Sequence, residues 1–146
     1  MRFLVFLLPL ALTACLSAPA ALPGFDPRDA PFHPRSDYPT EPNVSRLIGP
    51  EDCRGAELRA ASADLPIYPA RAYSNGRQGW VVVRFHVYQD GSVHRARVAR
   101  GVPGRPFNQA ATRAVSRWRF QPLDGVESLQ NCVVMFEFRL GEVRIR

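Results

Sequence analysis

From residue 80 onward the apolar positions keep a regular period, and the period changes twice. Trp80 to Tyr88 alternates: Val81, Val83, Phe85 and Val87 fall on one side, Trp80, Val82, Arg84, His86 and Tyr88 on the other. Period two with β-branched residues predicts a strand. Asp90-Gly91 then predicts a hairpin turn in which both central residues take positive φ. The return strand, Val93 to Arg100, carries Ala96 and Val98 inward, with Arg95, Arg97 and Arg100 on or near the outward side. The period then lengthens. Phe107, Ala110, Ala111, Ala114, Val115 and Trp118 share one face of a helix, with Pro106 suited to its first turn. Alternation returns in Val133 to Leu140, where Val134, Phe136, Phe138 and Leu140 oppose Val133, Met135, Glu137 and Arg139. Ahead of all this, Tyr68-Pro69 opens a short helical turn that Asn75-Gly76 closes. The pattern predicts an α+β fold: a three-stranded antiparallel sheet (hairpin, helix, strand), one main helix packed on one face and a short N-terminal helix.

Upstream, the pattern is different. Met1-Arg2 is followed by an apolar run, Phe3 to Ala14, of about 12 residues. A membrane-spanning helix needs about 20, so the run fits the apolar region of a signal peptide. Leu12-Thr13-Ala14-Cys15 resembles the bacterial lipobox, in which the Cys is lipidated before cleavage. Three acyl chains would anchor the protein stably, whereas one holds only marginally. Leu at position 16, rather than Asp, favours the outer membrane, facing the periplasm. The alternative is ordinary secretion, with cleavage after Ala18-Pro19-Ala20 and no lipid. Prolines at 19, 23, 27, 31, 34, 39, 42 and 50 then mark a semi-rigid spacer with no hydrophobic period. Glu51 to Ala63 reads as a short helix or turn tied down by Cys53. The expected organisation is a signal peptide over 1–14, a lipidated Cys and Pro-rich linker over 15–50, and a folded domain over 51–146.

Charge and cysteines refine this picture. All 19 basic residues are Arg. Residues 71–119 hold ten of them against one acid, Asp90. An Arg-rich surface invites an acidic or phosphate-bearing partner, or is simply solvated. Export makes nucleic acid an unsuitable partner. With Cys15 lipidated, Cys53 and Cys132 remain; they read as one disulfide or as two buried thiols. His33, His86 and His94 are scattered, with no metal-ligand spacing and no nucleophile motif. His86 and His94 face one another across the predicted hairpin. No enzymatic activity, metal or cofactor is expected.

The motifs come in a recognisable order: Pro66-x-Tyr68-Pro69-Ala70-Arg71-Ala72, then Gly79 to Val87, then Asp90-Gly91-Ser92-Val93, Phe107, Trp118-Arg119-Phe120-x-Pro122 and Phe136-x-Phe138. Over about residues 66–141 this resembles the TonB C-terminal domain family. The resemblance implies a non-catalytic module that binds an extended segment of an envelope protein, typically a TonB-dependent outer-membrane transporter, along the exposed edge of its last strand. Unpaired N–H and C=O groups would template the added strand. That edge is Val133, Met135, Glu137 and Arg139, with Tyr68, Pro69 and Arg71 near it. The same edge suits a second copy of the chain as a homodimer. Leu65 stands where the family's reference member has an amide side chain. A transducer also has an uncleaved membrane helix with polar residues that engage a proton-driven motor. The apolar run here is short and holds no Ser or His, so the resemblance implies a lipoprotein bearing a TonB-like domain; the alternative is a genuine energy transducer.

Overall fold

The computed structural model describes Gly24 and residues 26–146. The expected signal peptide and Cys15 lie outside the described residues. Among the described residues six strands and two α-helices follow in chain order: β1 (Ala60–Ser62), α1 (Ala70–Ser74), β2 (Gly79–Tyr88), β3 (Val93–Val102), α2 (Phe107–Val115), β4 (Arg119–Phe120), β5 (Ser128–Arg139) and β6 (Glu142–Ile145). The main sheet is antiparallel with order β3-β2-β5-β6, and β1 and β4 form a separate pair.

The α+β class and the helix-backed sheet are as the pattern predicts. Val81, Val83, Phe85 and Val87 of β2 join Val134, Phe136 and Phe138 of β5 in one core, closed by Phe107, Ala111 and Val115 of α2. Tyr68 lies at the same core's end, its ring 5.6 Å from Phe107 and 5.5 Å from Phe138. Trp118 packs edge-on against Phe85 and Phe136. It sits just past the helix rather than within it, and its indole N–H donates to the Asp64 carbonyl at 2.9 Å.

Four expectations are corrected. First, the sheet has four strands. β6 follows β5 through Leu140 and Gly141, both at positive φ (50° and 82°). Positive φ at both positions suits the tightest hairpin connection. Second, of the two readings of Glu51–Ala63, helix or turn, the structure has the turn, over residues 51–53, and no helix. The Cys53 N–H donates to the Gln130 carbonyl at 2.6 Å, and Ala60 and Ser62 pair with Phe120 and Arg119. Pairing partners outside the segment outweigh a helical preference spread over only a few residues. Third, at the β2–β3 turn only Gly91 takes positive φ (79°). Its N–H donates to Tyr88 O, and a Cβ there would lie 2.0 Å from the Phe120 carbonyl oxygen. Asp90 instead accepts hydrogen bonds from the Ser92 N–H and hydroxyl.

The fourth correction matters most. Residues 26–50 do not stand off as a semi-rigid spacer; they run as a strap along the domain. Phe32 packs on Tyr68 and Tyr73. The Arg35 N–H donates to the Gly76 carbonyl at 2.8 Å, and Gly76 (φ 59°) has no room for a Cβ, which would fall 2.0 Å from the His33 carbonyl oxygen. Tyr38, Val44 and Leu47 then cover a second core of Trp80, Val82 and Met135 on the sheet face opposite α2. The Trp80 indole N–H donates to the Thr40 carbonyl at 3.0 Å. Arg84 donates to the Leu47 carbonyl and lies 3.7 Å from the Asp52 carboxylate. The physical reason is that Trp80, Val82 and Met135 would otherwise expose a broad apolar face. A disulfide between Cys53 and Cys132 then joins the end of the strap to β5.

Because Trp80 is 2% exposed and anchors the strap, Trp80→Ala should cost about 3–5 kcal/mol, as large buried aromatics do. Urea denaturation measures this, and limited proteolysis should cleave at Arg35 and Arg46 faster in the variant than in the wild type.

Candidate functional site

The expected binding edge is the outer side of β5. Its backbone alternates between two partners. Towards β2 the ladder runs from Gly79↔Phe138 to Tyr88↔Ser128. Towards β6 it runs Phe136↔Ile145, Glu137↔Arg144, Phe138↔Val143 and Arg139↔Glu142, and Met135 and Arg146 exchange both backbone hydrogen bonds. The edge over Met135–Arg139 is therefore occupied within the chain, which corrects the expectation that it is open. The open edges of the main sheet are the outer side of β6, the outer side of β3, and the short part of β5 between Met135 and Gln130, whose carbonyl is taken by the Cys53 N–H.

The predicted site residues separate into two groups. Met135 (2% exposed) and Glu137 (3%) are buried, Val133 is half-buried and Arg139 is exposed. All four lie on the strap face. Arg139 stacks over the Tyr38 ring at 5.0 Å. Tyr68 is buried in the aromatic cluster, and its hydroxyl donates to the Arg77 carbonyl at 2.5 Å. Burial raises the Tyr68 pKa, so the ring is a core element more than a contact surface. Pro69 caps α1, and Arg71 is exposed on that helix. Cys53 and Cys132 are joined, as one of the two sequence readings has it. His86 and His94 are partners across the hairpin, yet their rings turn to other groups. His86 Nδ1 accepts from the Asn131 N–H, and His94 stacks on Tyr88. Burial and the neighbouring arginines, Arg97 foremost, lower the His86 pKa. Among the described residues no His, Cys, Asp and Glu cluster could hold a metal ion.

Sequence reasoning missed β6 and what secures it. Arg146 Nε lies 2.5 Å from Glu137 Oε1, an ion pair between the chain's last residue and a nearly buried carboxylate. Burial raises the Glu137 pKa, and a hydrogen bond and repulsion from Glu41 of the strap add to it; Arg146 and Arg139 act the other way. Gln78, 7% exposed, ties the same corner together: it donates to the Ser36 carbonyl and accepts from the Leu140 N–H at 2.9 Å. The available signal was the alternation of Val143 and Ile145 after a glycine, only four residues long.

Comparison with known proteins bears on this geometry. Residues 64–140 match the Gram-negative bacterial TonB protein C-terminal family. The chain belongs to the TonB C-terminal domain family. It is 33% identical over 91 residues to the TonB protein of Pseudomonas aeruginosa, covering 61% of this chain and 27% of that protein. It is 32% identical over 130 residues to the TonB protein of Klebsiella pneumoniae, covering 84% and 51%. The chain thus spans between about a quarter and a half of the length of these relatives. The solution structure of the Pseudomonas aeruginosa TonB C-terminal domain superposes with a TM-score of 0.54 at 29% identity, covering 64% of this chain and 96% of that one. The family match itself runs over residues 64–140, so β6 and the strap lie outside it.

Since the folded state raises the Glu137 pKa above its ordinary 4.5, it binds the proton more tightly than the unfolded chain does. That stabilisation is complete below about pH 4.5 and is lost as the pH rises through the raised value. Relative to Glu137→Gln, the wild type should therefore lose stability as the pH goes from about 4 to 7. Urea melts of both proteins across that range measure the difference; a difference that grows in the wild type's favour with rising pH contradicts the assignment.

Proposed function

We propose that this protein is a non-catalytic envelope module, held to the outer membrane by lipid on Cys15 and facing the periplasm. It recognises an extended segment of an envelope protein, such as a TonB-dependent transporter, by strand addition at β5. The family relationship supports a role in TonB-dependent transport. The shape of the β5 edge supports the binding mode, with one change: β6 holds the place that the partner's segment takes.

The observation that carries this reading is the mismatch between the two strands. β5 runs for 12 residues, while β6 has four, none of them buried. Its side chains contribute little to the core; Val143 is only partly buried against it. Its Arg144–Glu142 ion pair is exposed and lies within β6 itself, so it adds almost nothing to docking. What holds β6 is a handful of backbone bonds, each worth about 1 kcal/mol net, and the Arg146–Glu137 pair. A longer foreign strand reproduces those bonds and continues past Met135, where β6 has ended. Such exchange is strand addition with an internal placeholder removed.

Two measurements separate the parts of the proposal. Palmitate labelling of the wild type against Cys15→Ser tests the anchor; label that persists on the variant overturns it. Photocrosslinking in living cells from position 139, exposed at the end of β5, tests the edge. Removing residues 142–146 should increase the captured partner several-fold. Glu137→Cys with Arg144→Cys should abolish capture by locking β6, since hydrogen-bonded cross-strand partners sit about 5.5 Å apart, within disulfide reach. Undiminished capture by the locked protein, or loss of capture on truncation, overturns strand exchange.

A further inference from the structure

Two adjoining clefts run along one side of α2. The first, about 350 Å³, is lined by Arg28, Arg113 and Arg117, with Ile67 at its rim. The second, about 390 Å³, is lined by Arg71, Arg77 and Arg105. They share Pro106 and Gln109, so they form one groove. Six guanidinium groups border it, and neither lining contains an Asp or Glu. Arg28 is paired with Asp26 at 2.5 Å; among the described residues none of the other five forms an ion pair. The arginines come from the strap, α1, the loop after it, the loop before α2, α2 and the turn beyond it. Five guanidinium groups with no ion-pair partner among the described residues, drawn from separate elements, call for an anion. At its rim stands an apolar side chain with no core to enter, Ile67, 64% exposed.

The path of the chain says which anion. The strap enters the domain at this groove: Arg28 lines it and donates to the Tyr68 carbonyl. Residues 26–50 are docked on the domain, so they add nothing to the tether. Only residues 16–25 separate Cys15 from the groove, and ten residues reach at most about 36 Å. Resting on the lipid anchor proposed above, we infer that this groove is a binding site for phosphate-bearing lipid headgroups of the membrane to which the chain is tethered. The guanidinium groups take the phosphates, for which their planar fork is suited. Ile67 enters the boundary of the acyl region. The docked domain then presents its β5–β6 edge in one orientation to the membrane, where a free spacer would leave it tumbling.

The groove is testable without the anchor. Residues 16–146 contain every member of both described cores, and a chain of that length carries no lipid. Sedimentation with phosphatidylglycerol-containing vesicles should show binding that phosphatidylcholine vesicles do not support and that added salt removes. Each basic side chain near such a surface contributes about fivefold in affinity, so Arg113→Gln with Arg117→Gln should weaken binding roughly thirtyfold. Arg95→Gln with Arg97→Gln removes the same charge from the edge strand β3 and should leave binding nearly unchanged. Equal losses in the two double variants, equal binding to both vesicle types, or no binding to either overturns the inference. So does polyglutamate binding through Arg113 and Arg117 in the absence of vesicle binding, which would assign the groove to an acidic protein. Palmitate labelling decides the anchor separately, so failure of the groove and failure of the anchor are distinguishable.

Discussion

Strand β2 is apolar on both faces, and a strand of that kind has to be covered twice. Val81, Val83 and Val87 are wholly buried on one side, Trp80 and Val82 on the other. Helix α2 and its aromatic neighbours cover the first face, where Phe107, Phe136 and Phe138 are also wholly buried. The second face is the strap's: Tyr38, Val44 and Leu47, with the Trp80 indole bonded to Thr40. The need for that second cover is what turns a proline-rich run into part of the domain. Proline suits the role. It keeps the chain extended and carries no N–H to leave unpaired against an apolar surface. The Cys53–Cys132 bond then fixes the strap's end across 79 residues of sequence, a long loop whose closure restricts the unfolded chain considerably.

Two-sided cover also shapes the edge. With both faces occupied, the sheet can grow only sideways, through backbone groups. β3 at one margin is long and bears Arg95, Arg97 and Arg100, charges of the kind that discourage edge-to-edge association. The other margin is closed by a short terminal strand and a single ion pair to a carboxylate that burial makes costly to ionise. The two margins are therefore unequal. One is guarded by charge, the other by a piece of the chain that little else holds in place.

Much of the fold was legible because period and burial agree. The inward residues of β2, β5 and α2 in the structure are those that alternation and helical spacing mark out, and the motif order led to the family. The misses share a cause: each depends on contacts made far along the chain. Trp80, Val82 and Met135 lie on the face opposite α2 and signal a second cover, but alternation alone names no element to supply it. The strap has no hydrophobic period because its backbone carbonyls, at Thr40 and Leu47, do as much of the work as its side chains. β6 follows a turn with Leu140 at φ 50°, a geometry that leucine rarely adopts, so no Asn-Gly or Asp-Gly pair announces it. Tyr68 and Met135 were assigned to the site on motif and edge position, and only the packing shows both side chains buried.

The account depends on β6 being the least secure strand of an otherwise well-held sheet. Amide hydrogen exchange of the full chain measures this residue by residue. Along β5 the amides of Met135 and Glu137 face β6, while those of Val134 and Phe136 face β2. Local opening of β6 predicts fast exchange at Met135, Glu137 and Arg144, and slow exchange, set by global unfolding, at Val134 and Phe136. Equal protection on the two sides of β5 would mean that β6 leaves only when the whole domain unfolds, and strand exchange at this edge would be contradicted.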